Sequence, residues 1–307
     1  ALYNYMSQIL VELIKLANLI ITITKALACA GRIESVFDVT SGMADGSVKE
    51  AVAKEEQPGV EFKNVSLTYS GSGAPSVEGI NFKAMKGQTI GVIGGTGSGK
   101  SSLVNLIPRL YDATQGEVLV DGVNVKDYDI EALRNKVGIV MQKAVLFKGT
   151  IRESMWMGKK GATDEQIDEA LEISQSKEFV DSKQGRLDYV IEQGGKNLSG
   201  GQRQRLTIAR AIVRKPDVLI LDDSASALDF ATDAALRKAI RGMNNSPTVF
   251  IVSQRAASLM YADLIIVLDD GQVAGMGTHD ELLANCEVYK EIYESQFKKA
   301  DSEGGVA

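Results

Sequence analysis

Gly94-Gly95-Thr96-Gly97-Ser98-Gly99-Lys100-Ser101 fits the pattern G-x-x-x-x-G-K-[ST]. An apolar run, Thr89–Ile93, precedes it, and a helical run, Ser102–Leu110, follows. A strand before and a helix after is the context this pattern needs in order to hold phosphate. Glycines let successive backbone N–H groups turn inward around phosphate oxygens, and the helix N-terminus adds a partial positive charge. Lys100 would reach the β and γ phosphates of a nucleoside triphosphate, and the Ser101 hydroxyl would ligate Mg²⁺. Asp222 closes the apolar run Val218-Leu219-Ile220-Leu221. A carboxylate at the C-terminal end of a buried strand suits the Mg²⁺ shell, although an Asp can also simply terminate a strand.

These residues need a scaffold, and the rest of the chain supplies one. Thr89–Ile93, Val218–Leu221 and Thr248–Val252 are short continuous apolar runs, as expected of parallel strands buried on both faces. Val60, Phe62, Val65, Leu67 and Tyr69 show a partial period of two and predict early strands. Leu264–Leu268 and Gln272–Met276 flank Asp270-Gly271, which predicts a hairpin. Helical patterns follow Lys100, Ser199 and Asp229. Strands alternating with helices predict a three-layer α/β core.

The chain has 307 residues and a formal charge of −6, which gives no reason to expect nucleic acid as a partner. Its single histidine, His279, excludes a His-cluster metal site, and Cys29 and Cys286 are too far apart in sequence to suggest metal-ligand spacing or a disulfide framework. The opening Ala-Leu-Tyr lacks both an initiator Met and a signal-peptide n-region, so a piece of a longer protein is expected.

Four segments are expected. Residues 1–39 carry a greasy helix, since Ser7–Ala30 is mostly Ile, Leu, Val and Ala without Pro or Gly. Glu12, Lys15, Asn18, Thr22 and Lys25 share one face of it. A polar stripe suits a membrane helix facing a bundle interior, but it also suits an amphipathic soluble or surface helix. Residues 40–58, rich in Gly, Ser, Glu and Lys, read as a linker; 59–299 form the globular α/β domain; 300–307 read as a disordered tail.

Leu198-Ser199-Gly200-Gly201-Gln202 lies between the two phosphate-site motifs. There the sequence resembles the ABC ATPase family, and the resemblance covers about residues 60–297, with the motifs in the family's order. It implies a P-loop NTPase core with an antiparallel β subdomain and a helical signature subdomain, preceded by a transmembrane-type helix. It also implies ATP and Mg²⁺ as cofactors. Gly94–Ser101 with Ser102 would bind nucleotide, Gln142 would act as the Q-loop residue on Mg²⁺, and Ser226-Ala227-Leu228-Asp229 would be the D-loop. Tyr69, 25 residues before Gly94, would stack on adenine, although a lone Tyr on a strand is more often core or surface. Ser199, Gly200, Gly201 and Gln202 would face a nucleotide held by a second subunit. Stretches Val145–Glu153, Val190–Gly195 and Arg32–Phe37 resemble exporters, in which the last membrane helix continues into the ATPase. The implied location is the cell membrane, with the ATP-binding domain on the cytoplasmic side.

Two positions depart from the family. It usually carries Glu after the strand-terminal Asp, where this chain has Asp223, and His where this chain has Gln254. With Lys100 these are the residues expected to act in catalysis. Asp is one methylene shorter than Glu, and a misplacement of roughly 1 Å can slow a reaction about 10²-fold. Gln cannot carry the charge or proton of an imidazole. The expectation is a site that binds ATP but hydrolyses it poorly, paired with a non-identical half-transporter that supplies Glu and His. A homodimeric exporter with ordinary turnover, a soluble non-transport ABC ATPase and a regulatory ATP-binding subunit are the alternatives.

Overall fold

The computed structural model describes residues 2–39, 42–51, 57–224 and 227–303, with side chains up to residue 296. The chain divides into two units, residues 1–44 and residues 45–307. The first holds one helix, α1 (Leu2–Phe37), with no buried residue. Its 36 residues extend about 54 Å at about 1.5 Å each, more than the roughly 30 Å of a bilayer's hydrocarbon core. It is long and apolar enough to cross a membrane. Several of its polar groups find partners on the helix itself: Lys15 pairs with Glu12 at 2.7 Å, and the Thr22 and Thr24 hydroxyls donate to the carbonyls of Asn18 and Ile20.

The second unit is built on strands β1 (Val60–Leu67), β2 (Val77–Ala84), β3 (Thr89–Gly94), β4 (Gln115–Val120), β5 (Val123–Asn124), β6 (Val137–Val140), β7 (Gly149–Thr150), β8 (Val190–Ile191), β9 (Val218–Asp222), β10 (Thr248–Val252), β11 (Leu264–Asp269) and β12 (Gln272–Gly277). The helices are α2 (Lys100–Asn105), α3 (Ile130–Lys136), α4 (Ile151–Gly158), α5 (Asp164–Ile173), α6 (Lys177–Asp181), α7 (Gly200–Ile212), α8 (Phe230–Arg241), α9 (His279–Asn285) and α10 (Glu287–Glu303).

The central sheet has the order β12-β11-β3-β10-β9-β6. It is parallel except at β12, which pairs antiparallel with β11. Every residue of β3, β9 and β10 is buried, which is why they read as unbroken apolar runs. Alternate residues serve the two faces: Leu219, Leu221, Val249 and Ile251 enter the core shared with the helices. Val218, Ile220, Phe250 and Val252 enter the core shared with an antiparallel sheet of order β2-β1-β4-β5. The β11–β12 hairpin turns through Asp270 at φ 43° and Gly271 at φ 79°, the left-handed pair a tight primed turn requires.

Several boundaries differ from the sequence reading. Part of the expected linker packs onto the second unit. Gly46 and Ser47 donate backbone hydrogen bonds to Tyr128 and Asp127, Val48 bridges Tyr128, and the Asp45 carboxylate accepts from the Ile130 amide. A Cβ at Gly46 would lie 2.2 Å from the Asp127 carbonyl, so this glycine serves close approach rather than flexibility. The expected tail is helical through Glu303, because α10 continues past the packed stripe that anchors it; residues 304–307 lie outside the described residues. The helical run after Lys100 ends at Asn105, ahead of Pro108, whose ring disfavours a helical residue before it.

Candidate nucleotide site

Four adjacent parallel strands, β3, β10, β9 and β6, end on one edge of the central sheet. Their register aligns Val252 with both Val92 and Asp222, and Val140 with Leu221. The segments leaving these ends therefore converge: Gly94–Ser101 from β3, Gln254 from β10, Asp222 and Asp223 from β9, and Gln142 from β6. This is the edge at which open α/β sheets bind ligands.

The loop after β3 wraps around the Lys100 ammonium. Lys100 Nζ donates to the carbonyl of Gly94 at 3.0 Å, to that of Gly95, and to Ser98 Oγ at 3.3 Å. Gly97 and Gly99 have φ of 84° and 93°. A Cβ on Gly99 would lie 2.3 Å from the Ser76 carbonyl, whereas Gly97 has open space around it. Thr96, Gly97, Lys100, Ser101, Gln142, Asp222, Asp223 and Gln254 line a cavity of about 280 Å³. Ser76 and Ser253 line it as well, and nothing in their local sequence distinguishes them from ordinary loop serines.

Lys100 and Asp222 are both buried, at 9% and 7% exposure. Burial pulls the Lys100 ammonium below the usual lysine range, against the attraction of Asp222 and Asp223. Burial also pushes the Asp222 carboxyl above the usual carboxylate range, and the Asp223 charge adds to that push; the Ser101 hydrogen bond and Lys100 oppose it. Both groups are thus held toward neutrality, the state of a desolvated charge pair short of counter-charges.

The site fits a Mg²⁺-nucleotide by its own features. Gly95 and Gly97 leave the open space that phosphates need, and Lys100 is a buried cation whose charged form incoming anions would favour. Ser101 and Asp222 line the same cavity and offer a hydroxyl and a carboxylate as oxygen ligands. Among the described residues no three His, Cys, Asp or Glu side chains cluster to hold a metal. Mg²⁺ carried with phosphates needs only one or two protein carboxylates.

Asp223 has φ 45°, a left-handed conformation that Asp tolerates better than longer side chains, and its amide donates to the Val252 carbonyl at 2.9 Å. Its Oδ2 accepts from Gln142 Nε2 at 3.1 Å. Tyr69, half-buried, donates its hydroxyl to Ser102 Oγ at 3.0 Å and meets Tyr111 edge-on, with ring centroids 4.9 Å apart. Its hydroxyl therefore meets the helix that follows the phosphate loop. His279 is engaged elsewhere: its Nδ1 lies 2.8 Å from the Tyr289 hydroxyl.

Ser199–Gln202 does not line this cavity. Ser199 caps α7, accepting from the Gln202 amide, while the Gln202 side chain returns a bond to the Ser199 amide. Ser199 and Gly200 are exposed, and the first turn of this 13-residue helix carries no acidic residue. The partial positive charge of its first N–H groups is therefore at an exposed helix end. Ala227–Asp229 follow, with Asp229 capping α8; Ser226 lies outside the described residues.

This arrangement defines a P-loop nucleotide-binding domain. Residues 77–226 match the ABC transporter family. An ABC transporter ATP-binding protein of Bacillus subtilis is 39% identical over 99% of this chain and 52% of its own length. One of Mycobacterium tuberculosis is 38% identical over 100% and 53%. A Staphylococcus aureus protein named as a multidrug export ATP-binding/permease protein is 36% identical over 86% and 45%. The solved structure of a bacterial Atm1-family ABC exporter with ATP bound matches with a TM-score of 0.81 and 31% identity, over 90% of this chain and 48% of that one. The chain carries the ATP-binding domain of the ABC transporter family, similar to those of exporters, and spans about half the length of the relatives it matches.

Proposed function

We propose that this chain is the ATP-binding end of an ABC half-transporter that exports a substrate, with its own nucleotide site impaired in hydrolysis and its signature completing the site of a non-identical partner. The observation that carries the proposal is the asymmetry at the edge of the sheet. The phosphate-binding parts, Gly94–Ser102, Asp222 and Gln142, converge intact, while the two departures, Asp223 and Gln254, occupy the same cavity where an attacking water would be oriented.

The bound Mg²⁺-nucleotide would supply the γ-phosphoryl group and the charge that neutralises its oxygens. Around it, the Gly94–Ser101 amides and Lys100 hold phosphate, while Ser101, Asp222 and Gln142 present oxygen ligands. Tyr69 offers its ring to the base. Asp223 is tied to Gln142, and its side chain is one methylene shorter than the family's usual Glu. Gln254 can hydrogen-bond phosphate but cannot relay a proton.

The outward-facing start of α7 is half of a second site, so the functional unit contains two ATPase domains arranged head to tail. Exposed Met141, Val145, Phe147 and Val190 are at least 45% accessible, near Gln142 and the β7–β8 pair. We assign that patch to contact with the membrane part, and α1 to the last membrane helix, with the ATPase on the cytoplasmic side. Isolation of the full-length protein from its native membranes tests the pairing. A related chain with Glu and His at the two altered positions should co-purify in equal amount. A complex containing only this chain would leave a homodimeric exporter as the better account.

A further inference from the structure

We propose that Gln296, on the C-terminal helix α10, is a positioning residue that sets Gln254 toward the nucleotide; the proposal rests on the reading above of Gln254 as a phosphate-contacting residue, here taken at the γ-phosphate. Tyr289, Ile292, Tyr293 and Gln296 fall at helical spacing on one face of α10. The first is fully buried, and Ile292 and Tyr293 pack against the core. Gln296 ends this inward stripe with an amide where an apolar residue would continue it.

The amide chelates the chain that leaves β10. Gln296 Nε2 donates to the Gln254 carbonyl at 2.7 Å, and the Ala256 amide donates to Gln296 Oε1 at 2.9 Å. A carbonyl and an N–H as the two partners fix which end of the side-chain amide is which. Ala256 is fully buried and begins the short 3₁₀ turn Ala256–Ser258, whose N-cap, Arg255, provides no side-chain bond. Gln296 thus partners a backbone N–H that burial would otherwise leave costly.

The rest of the joint is held by backbone and hydroxyl contacts. The Ser253 amide donates to the Val92 carbonyl at 3.1 Å, and the Arg255 amide to Ser253 Oγ at 2.9 Å. Gln254 is the residue between these anchors, with its carbonyl on Gln296 and its side chain on the cavity. The Gln296 amide is thus a direct link between the C-terminal helix and the residue at the cavity.

The test uses the intact chain and the variants Gln296→Met, Gln296→Glu and Gln254→Ala, with the double variant Gln296→Met/Gln254→Ala. Two quantities are measured: hydrogen exchange at the Ala256 amide, and the ratio of ATP to ADP affinity in Mg²⁺. Gln296→Met should speed Ala256 exchange and lower the ATP/ADP ratio by about 3- to 10-fold, the range for one or two lost hydrogen bonds. Gln296→Glu keeps the acceptor for Ala256 and loses the donor to Gln254. It should keep Ala256 protected yet still lower the ratio, and it carries the test if the Met variant does not fold. In the Gln254→Ala background, Gln296→Met should have no further effect on the ratio.

A ratio unchanged by both Gln296 variants, while Gln254→Ala lowers it, would overturn the positioning role. Full additivity in the double variant would also overturn it. A ratio unchanged by Gln254→Ala itself would overturn the γ-phosphate placement, and this inference with it.

Discussion

Restoring the two altered positions should restore turnover, and the structure sets the scale. The Asp223 carboxylate meets Gln142, with Oδ2 and Nε2 at 3.1 Å. Replacement by Glu adds one carbon–carbon bond, about 1.5 Å, and advances the carboxylate by roughly 1.3 Å. An error of about 1 Å in a reacting group is worth about 10²-fold, so Asp223→Glu has that much to recover. The backbone opposes part of it. Asp223 sits at φ 45°, where a longer side chain pays roughly 1–2 kcal/mol. The variant should melt lower while turning over faster. Adding Gln254→His supplies a group able to hold a proton, but both changes act on one step and will not multiply. The double variant should gain at least about 10-fold and at most about 10²-fold, or roughly 1.4–2.7 kcal/mol of barrier. The assay is steady-state phosphate release in Mg-ATP by the intact chain, with ATP affinity measured on both proteins. If the parent already turns over at about 1 s⁻¹ or faster, or if the variant binds ATP as well as the parent and gains nothing, the reasoning fails.

Three further outcomes follow from the same geometry. Asp222→Asn should raise the melting temperature of the nucleotide-free protein at neutral pH. The folded state holds this carboxyl above its usual range, so ionisation destabilises the fold as pH rises through the raised value; the advantage of Asn should fade as pH falls toward the ordinary carboxylate range. The same variant should abolish the extra melting shift that Mg²⁺ adds to ATP. Gly99→Ala should abolish measurable nucleotide affinity, because its Cβ would fall 2.3 Å from the Ser76 carbonyl, whereas Gly97→Ala meets open space and should lose only about 5- to 30-fold from φ strain, read by equilibrium titration. Tyr69→Ala should weaken ATP binding by about 10-fold through lost stacking, while Tyr69→Phe, which gives up only the hydroxyl bond to Ser102, should stay within about 5-fold in the same titration.

Much of the fold is written in local patterns. β3, β9 and β10 are legible because burial on both faces demands unbroken apolar runs. The β11–β12 turn is legible because Asp-Gly tolerates two successive left-handed residues. Ser199 with Gln202 is legible as a helix start because the reciprocal cap has a fixed spacing. What escapes is long-range. Two-residue strands such as β7 and β8 carry no period, and their pairing of Thr150 with Val190 joins residues 40 apart in sequence. Composition cannot tell the glycine of a loose linker from Gly46, which lets two backbones touch. Gln296 is one polar residue on a helix, and only the fold brings it to Gln254.

The two departures are separated by 31 positions in sequence, yet they leave neighbouring strands at the same edge of the sheet. Asp223 leaves β9 and Gln254 leaves β10, neighbours in the sheet with Asp222 opposite Val252. The Asp223 amide donates to the Val252 carbonyl, and Gln254 lies two residues further along that strand's exit. One backbone joint therefore carries both altered side chains, with Gln142 on one side of it and Gln296 on the other. Loss of fit scattered over the site would be expected to touch the phosphate loop as well, yet Lys100 keeps its loop contacts and Ser101 and Asp222 both line the cavity. Change confined to the joint that would orient water, beside a phosphate cradle kept whole, is what a subunit needs if its nucleotide is to be held rather than consumed.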